Sequence, residues 1–378
     1  MMEWIKPGTK IDFVGQMKIW VGISVGLMLI SICSFFIKDL NYGIDFAGGT
    51  EIQVRFDKPV KPGDIRAVLD QMGYMKNMVQ SVGMGDREFS LRIQSFSSLS
   101  DAQAKELRKQ FGTVVGEENV KRFRFGSETG DKIDLKMANE MKADQLAQIF
   151  TDIGLKDVRV KAEGKAGEHQ YLVVFSGIVK KIEKELGARF PDNKVEILRV
   201  EAVGALVGKQ LRTDGLLAII YSIVAIMLYI ALRFDFRFAP GAVFSLVHDA
   251  LIIVGMFNIL SLEFDMTILA AVLTLLGYSV NDTIVVYDRV RENLPKYKSS
   301  TLPDVVNLSI NETLGRTIMT SVTVALVSGS MLFLGGHSLF GFALAMFIGT
   351  ISGTYSSIFV AAPVTIALED WYRKARKI

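Results

Sequence analysis

Six long apolar runs limit most strongly what this chain can fold into. A helix needs about 20 mostly apolar residues to cross the hydrocarbon core of a bilayer. Runs of that kind extend from about Met17 to Ile37, Gly215 to Leu232, Phe238 to Leu260, Met266 to Tyr287, Thr317 to Leu334 and Leu339 to Leu368. The last is long enough to tilt, or to end before Pro363. The chain is 50% hydrophobic yet 22% charged. The two figures are compatible because the charges are segregated, mostly into the stretch between the first run and the second. The expected fold class is a membrane α-helical bundle of six transmembrane helices, with an α+β region between helices 1 and 2.

The first run reads as an uncleaved anchor. Its apolar core is too long for a signal peptide, and no small-x-small cleavage site follows it. A lipoprotein signal at Cys33 is disfavoured by Ile32, which is not a small residue. Cys33 is the only cysteine, so no intrachain disulfide and no cysteine-based metal site can form. The short loops set the orientation. Lys6, Lys10 and Lys18 precede helix 1, Arg233 and Arg237 follow helix 2, Arg289, Arg291, Lys296 and Lys298 follow helix 4, and Arg373, Lys374, Arg376 and Lys377 end the chain. The alternate short loops hold Glu263, Asp265 and His337 and no Lys or Arg. Both termini are therefore expected on the cytoplasmic side, with a large periplasmic loop. The expected division is 1–16 cytoplasmic, 17–37 helix 1, 38–130 and 131–214 periplasmic, 215–368 helices 2 to 6, and 369–378 a cytoplasmic tail.

The long loop has the alternation of folded structure. Glu51 to Phe56 puts Ile52, Val54 and Phe56 on one face of a strand. Asp64 to Met72 reads as a helix, Phe89 to Ile93 as a strand, Ala102 to Phe111 as a helix and Val120 to Phe125 as a strand. The pattern recurs about 81 residues later, with Ile133 and Leu135 echoing Ile52 and Val54. Leu146 echoes Ile65, Gly154 echoes Gly73, and Tyr171 to Phe175 echoes Phe89 to Ile93. Ile178 to Leu186 and Val195 to Val200 supply the last helix and strand. Two copies of a β-α-β-β-α-β unit, a ferredoxin-like arrangement, are expected. One larger α+β domain is the alternative. Neither carries a catalytic signature: GxSxG, HExxH and the P-loop are all missing, and His169 is the only histidine of the region. The net charge of +3 does not argue for nucleic acid.

The residues that carry chemistry lie in the runs. A charge at the bilayer centre costs about 2.5–3.5 kcal/mol on insertion scales and marks a functional candidate. Asp282 lies in Gly277-Tyr278-Ser279-Val280-Asn281-Asp282-Thr283, well inside helix 4. Its plainer role is to bridge helices by hydrogen bonds. His248 and Asp249 lie near the middle of helix 3, about 100 degrees apart on a helix, so they do not easily share a partner. A neutral His248 and a protonated or hydrogen-bonded Asp249 that merely set packing is the competing reading. Arg316, in Asn311-Glu312-Thr313-Leu314-Gly315-Arg316-Thr317, is either a plain inside-positive residue or a partner for Asp282. A carboxylate next to a cation in a desolvated site can change charge state with local geometry, as a proton relay requires.

Gly43-Ile44-Asp45-Phe46-Ala47-Gly48-Gly49-Thr50 resembles the glycine-rich opening of the outer domain in the SecD/SecF family. Val203-Gly204 before helix 2 resembles the family's Val-Gly-Pro, with Ala205 in place of proline. Gly277 to Asn293, His248-Asp249 and Asn311 to Thr320 resemble SecF strongly, and the Asn-Asp-Thr form favours SecF over SecD. The resemblance covers roughly residues 1–95 and 195–378. It implies an RND/SecDF-like bundle that pairs with SecD, works with the SecYEG channel in the bacterial inner membrane, and pulls on a preprotein using the proton motive force. It further implies Asp282, Arg316 and Thr320, with Asn281, His248 and Asp249, as the proton path. Gly43, Asp45, Gly48 and Gly49 would be the periplasmic domain motif, and YajC and YidC further partners. No cofactor, metal or catalytic residue is implied, only a coupling proton or, as in some relatives, sodium. SecF usually has one small outer domain, so the second copy is a departure. A subunit of a small-molecule RND exporter and a passive scaffold for chaperones or lipoproteins are the alternatives.

Overall fold

The computed structural model describes residues 10–375 except 75–76, 83–84, 94–100, 126–131, 156–157, 164–167, 176 and 235. Two compact units emerge, one formed by residues up to 43 and from 213 onward, the other by residues 44–212.

In the first unit the six apolar runs are helices. They are α1 (Met17–Ile37), α7 (Ala205–Arg233), α8 (Ala239–Ile259), α9 (Met266–Asn293), α10 (Leu302–Leu334), and α11 (Gly336–Ser356) continued by α12 (Ala362–Ala375). Each is long and apolar enough to span a membrane, and the protein is a multi-pass membrane protein. Two helices outrun their apolar cores. α7 begins ten residues before Gly215, at Ala205, the first helical position, where a proline would also fit. α10 begins at Leu302 rather than Thr317, because Thr301 and Asp304 form a reciprocal capping box and Pro303 suits the first turn.

The sixth span passes Pro363 without stopping. Proline removes a backbone donor, and the helix absorbs the defect in a π-turn at Ser357–Ala361. The carbonyl of Ala361 is taken up by the hydroxyls of Tyr287 at 3.1 Å and Thr365 at 3.0 Å. Burial is uneven among the spans. Half or more of the apolar window is buried in α8, in α9 and in the last span, against 11% in α1 and 17% in α7. The bundle core joins Ile230 of α7, Phe238 at the N-cap of α8 and Ala242 within it, Val286, Tyr287 and Val290 of α9, Val306 and Ile310 of α10, and Ile358.

The second unit holds α2 (Ile44–Ala47) and two four-stranded antiparallel sheets. The first, in the order β2-β3-β1-β8, is built from β1 (Gly49–Phe56), β2 (Asn77–Ser81), β3 (Glu88–Ile93) and β8 (Val195–Val203), backed by α3 (Pro62–Gln71) and α6 (Ile178–Arg189). The second, in the order β4-β5-β7-β6, is built from β4 (Val120–Arg124), β5 (Lys132–Met137), β6 (Arg159–Glu163) and β7 (Gln170–Val174), backed by α4 (Asp101–Val115) and α5 (Ala143–Asp152). The duplicated ferredoxin-like pattern is present. Gly73 and Gly154 close the equivalent helices α3 and α5, both at positive φ (88° and 107°).

The assignment of pieces differs from the sequential division at 130/131. Ile178, Ile182 and Leu186 of α6 pack with Ile52, Val54, Leu69 and Leu91 in the core of the first sheet, and β8 pairs with β1 along its length. Leu107 and Phe111 of α4 pack instead with Ile133, Leu135, Phe150 and Val173, with Phe111 stacked on Phe150 at 4.5 Å. The two copies have thus exchanged their α–β pieces. The second sheet and its helices form an insertion between β3 and α6 of the first.

The exchange predicts how deletions behave. A chain with residues 94–176 replaced by a short Gly–Ser linker keeps every element of the first sheet and should give a protease-resistant outer domain. Removing 131–203 strips α6 and β8 from the first core and should yield rapid cleavage within 44–125. Limited proteolysis of the purified chains, followed by mass spectrometry, distinguishes the two.

Candidate functional site

Asp249 and Asp282 are both buried in the bundle, but their surroundings differ sharply. Asp249, on α8, accepts hydrogen bonds from Ser279 of α9 (2.6 Å) and Ser356 of α11 (2.7 Å) at one carboxylate oxygen. At the other it accepts from Ser352 of α11 (2.6 Å) and lies 3.0 Å from His248 Nδ1. With Asp249 ionised, its oxygens only accept and the imidazole hydrogen lies on Nδ1. His248 and Asp249, which the sequence reading did not expect to share a partner easily, are paired with each other. The other ring nitrogen, Nε2, is buried with no hydrogen-bond partner among the described residues. The His248 ring lies 5.9 Å from that of Tyr355, whose hydroxyl is held by Ser24 and by the Trp20 carbonyl of α1, each at 2.8 Å.

Asp282, one turn along α9 from Ser279, has a much poorer shell. Ser321 of α10 donates to it from 3.4 Å, and Ser321 also meets Thr354 of α11 at 2.6 Å. Arg316 of α10 acts on it through its charge, while the arginine itself stays exposed in this chain. Buried hydroxyls of Thr283 and Thr317 have no hydrogen-bond partner among the described residues. Thr320 donates to carbonyls of its own helix, those of Arg316 (3.1 Å) and Thr317 (3.0 Å), and Asn281 is exposed. The structure therefore joins His248 to Asp249 and Asp282 to Ser321, and Arg316 reaches Asp282 through its field alone. Thr320 is turned to its own backbone and Asn281 to the outside of the chain.

The serines were not singled out in the sequence. Ser352 and Ser356 stand one turn apart on α11, a spacing that puts both on one face. What brings that face to α9 is Gly353. A Cβ there would stand 2.9 Å from Cβ of Ser279, so a larger residue would push the helices apart.

The register of α10 is set at its N-terminal end. Asn293, buried at the end of α9, donates to Ser309 (3.1 Å) and to Glu312 (2.7 Å). Arg289 donates to the same Glu312 oxygen at 2.7 Å. Asn311 and Asn307 exchange hydrogen bonds with the backbone of the N-terminal segment at Ile11 and Phe13. Glu312 is one turn before Arg316, so these contacts fix the rotation that aims Arg316.

The glycine motif has local causes. Gly43 donates to the Phe264 carbonyl at 2.8 Å, and a Cβ on it would stand 2.8 Å from a Glu263 carboxylate oxygen. Gly48 and Gly49 adopt φ of 75° and 132°, which other residues rarely do. Asp45 lies in the first turn of α2.

The fold and site define a multi-pass membrane protein whose helix bundle encloses two carboxylates and whose α1–α7 connection carries a duplicated α+β domain. Residues 182–371 match the family model for protein export membrane protein SecD/SecF, C-terminal, and residues 34–60 match the SecD/SecF GG motif. The chain is 34% identical over 364 residues to protein translocase subunit SecF of Pseudomonas aeruginosa, covering 96% of this chain and 93% of that one. To the SecF of Magnetococcus marinus it is 34% identical over 373 residues, covering 99% and 96%. The crystal structure of SecDF, a translocon-associated membrane protein from Thermus thermophilus, superposes with a TM-score of 0.66 at 28% identity, over 96% of this chain and 39% of that one. The chain thus spans about two-fifths of the SecDF chain and nearly all of its SecF relatives. It belongs to the SecF family of protein translocase subunits.

The serine cage makes a stability prediction. Changing Ser352 and Ser356 together to Ala removes two donors from Asp249 and should destabilise the purified protein by about 1–3 kcal/mol per hydrogen bond lost to a buried charge. In an Asp249→Asn background the same pair of changes should cost markedly less. Thermal melts of the four chains in one detergent close the cycle.

Proposed function

We propose that this chain is the SecF subunit of a Sec-type protein translocase, and that with SecD it uses the proton motive force to promote preprotein movement through SecYEG across the bacterial inner membrane. In this reading both termini are cytoplasmic and the duplicated α+β domain is periplasmic, in line with the Lys and Arg of the alternate short loops. The inequality between the two buried carboxylates carries the proposal. Asp249 is held by three serine hydroxyls and His248, which suits a fixed charge. Asp282 has one long hydrogen bond and the field of Arg316, which suits a group that gains and loses a proton.

When Asp282 is charged it attracts Arg316 and ties α9 to α10. When it is neutral the attraction is gone and the helices can repack. A proton falling through 100 mV releases about 2.3 kcal/mol, enough to bias such a repacking and not enough to unfold a domain. Thr320 and Thr317 line the same helix face region as Arg316, and the unpartnered hydroxyls of Thr283 and Thr317 offer stations for a proton or a water beside Asp282. His248 and Asp249 act as the rigid wall of the path. The exposure of Arg316 and Asn281 on membrane helices supports a second membrane subunit as their cover, for which SecD is the natural candidate. YajC and YidC are further partners in this scheme, and no cofactor is required beyond the coupling ion.

Reconstituted vesicles test it. Wild-type chain should accelerate export of a reporter preprotein only when a proton gradient is present, and a sodium gradient alone should not substitute. Asp282→Asn should abolish the stimulation while still co-purifying with SecD. Normal stimulation by Asp282→Asn would remove Asp282 from the coupling path and leave a passive scaffold as the better account.

A further inference from the structure

The two sheets of the outer unit present open faces of opposite electrostatic character. On β1, Ile52, Val54 and Phe56 point into the core, so Glu51, Gln53 and Arg55 lie on the other face. The register places Arg92 and Glu88 of β3 and Glu196, Arg199 and Glu201 of β8 beside them. That face neutralises itself. Arg55 pairs with Glu88 (2.8 Å) and Glu196 (3.9 Å), Arg92 with Glu51 (3.4 Å), and Arg199 with Glu201.

The same reasoning on the inserted sheet gives a different result. Ile133, Leu135, Tyr171 and Val173 are buried, with Phe123 and Val160 packed on the same core. The open face therefore carries Arg122 and Arg124 of β4, Lys132 and Lys136 of β5, and Arg159 and Lys161 of β6. Against these cations stand Asp134 and Glu163. Among the described residues, Arg122 to Asp134 at 3.5 Å is the ion pair across this face. Between the rows of β5 and β6 runs β7, whose open-face residues Gln170, Leu172 and Val174 are half-buried.

We propose that the open face of the β4-β5-β7-β6 sheet is a docking surface for an acidic, extended stretch of polypeptide. Charge complementarity sets the sign of the partner. The relief of the face sets its class. Val174 lies between Lys132 and Arg159, and Leu172 between Lys161 and Asp134; both are shorter than the Lys and Arg side chains beside them, so the aliphatic strip is the floor of a trough. An extended chain with alternating acidic and apolar side chains can reach that floor while its carboxylates meet the flanking cations. A bilayer surface is met the other way round, by apolar groups that project beyond the charges. The proposal deepens the translocase reading, in which the outer unit handles a polypeptide, by assigning the extra domain a face and a preferred composition.

Full-length protein in uncharged detergent is titrated against a fluorescein-labelled, unstructured peptide of alternating Glu and Val. The same peptide with Gln for Glu and phosphatidylglycerol vesicles are run in parallel. Fluorescence anisotropy should report binding of the Glu peptide that weakens with added salt and exceeds that of the Gln peptide. Combined replacement of Arg122, Lys132, Lys136, Arg159 and Lys161 by Gln should weaken it by about tenfold or more. Exchanging Lys and Arg at the same positions should preserve binding, which separates loss of charge from loss of fold. Arg55→Gln and Arg199→Gln on the self-neutralised sheet should leave it unchanged. Glu-peptide binding that survives the Gln replacements, or capture of the vesicles with no peptide binding, overturns the proposal. No ion gradient enters the assay, so its failure is distinct from a failure of the coupling mechanism.

Discussion

A carboxylate enclosed by helices that lie in a bilayer has no water to turn to, and the packing of this bundle follows from satisfying Asp249. Three serines from two other helices donate to it. For hydroxyls to reach it at 2.6–2.7 Å, α8, α9 and α11 must approach closely, and Gly353 is what allows α11 to lie against Ser279. The π-turn just after Ser356 belongs to the same solution. It carries the helix past Pro363 while Ser352 and Ser356 remain on the face that meets Asp249. A charge that is costly alone becomes a fixed point once it is fully bonded, and helices α8, α9 and α11 are pinned around it.

Against that fixed point the α9–α10 contact is looser in its middle and tight at one end. Asn293, Arg289 and Glu312 join the two helices by short hydrogen bonds, two of them charge-assisted. About two to three turns further along, the link is a single serine at 3.4 Å and an arginine acting at a distance. A helix tied at its end and weakly held at its centre can pivot. In the proposed coupling, the loose middle of the α9–α10 contact would be the switch and the frame around Asp249 the fixed reference it is read against. Only 22% of the apolar window of α10 is buried, against 50% for α9, so moving α10 disturbs less packing than moving α9 would.

Much of this was legible in the sequence, for identifiable reasons. The spans were visible because bilayer thickness imposes a length on apolar runs. Asp282, His248 and Asp249 were visible because ionisable groups inside such runs stand out. The serines were not, since a serine in an apolar helix can satisfy itself on the preceding turn, as Ser309 and Thr313 do here, and so gives no signal of a cross-helix role. Asn281 and Thr320 were carried in by their neighbourhood in the motif; their side chains point elsewhere. The repeat was read correctly from its strands and glycines, but the exchange of α–β pieces was hidden. Periodicity identifies like elements and says nothing of which sheet each one closes, because that depends on contacts far apart in sequence. The edge strands β2 and β6 escaped notice for a different reason: they bury little, and their alternation is weak.

The exchange also determines how force can pass along the chain. β1 follows α1 and α2, and β8 leads directly into α7, so both covalent routes from the membrane helices enter the first sheet. Those two strands are paired with each other from Gly49 opposite Val203 to Phe56 opposite Val195. The inserted domain has no such route of its own. It is joined to the rest only through the ends of β3 and α6, which belong to the first fold. Along the covalent chain, a load applied to the insertion passes through the first fold before it reaches α1 or α7. A tandem pair divided at residue 130 would have given each domain one strand of attachment and left the membrane helices joined through the gap between them. By nesting one domain in the other, the chain carries both covalent links of the insertion into the first fold, whose paired strands β1 and β8 continue along the chain toward α1 and into α7.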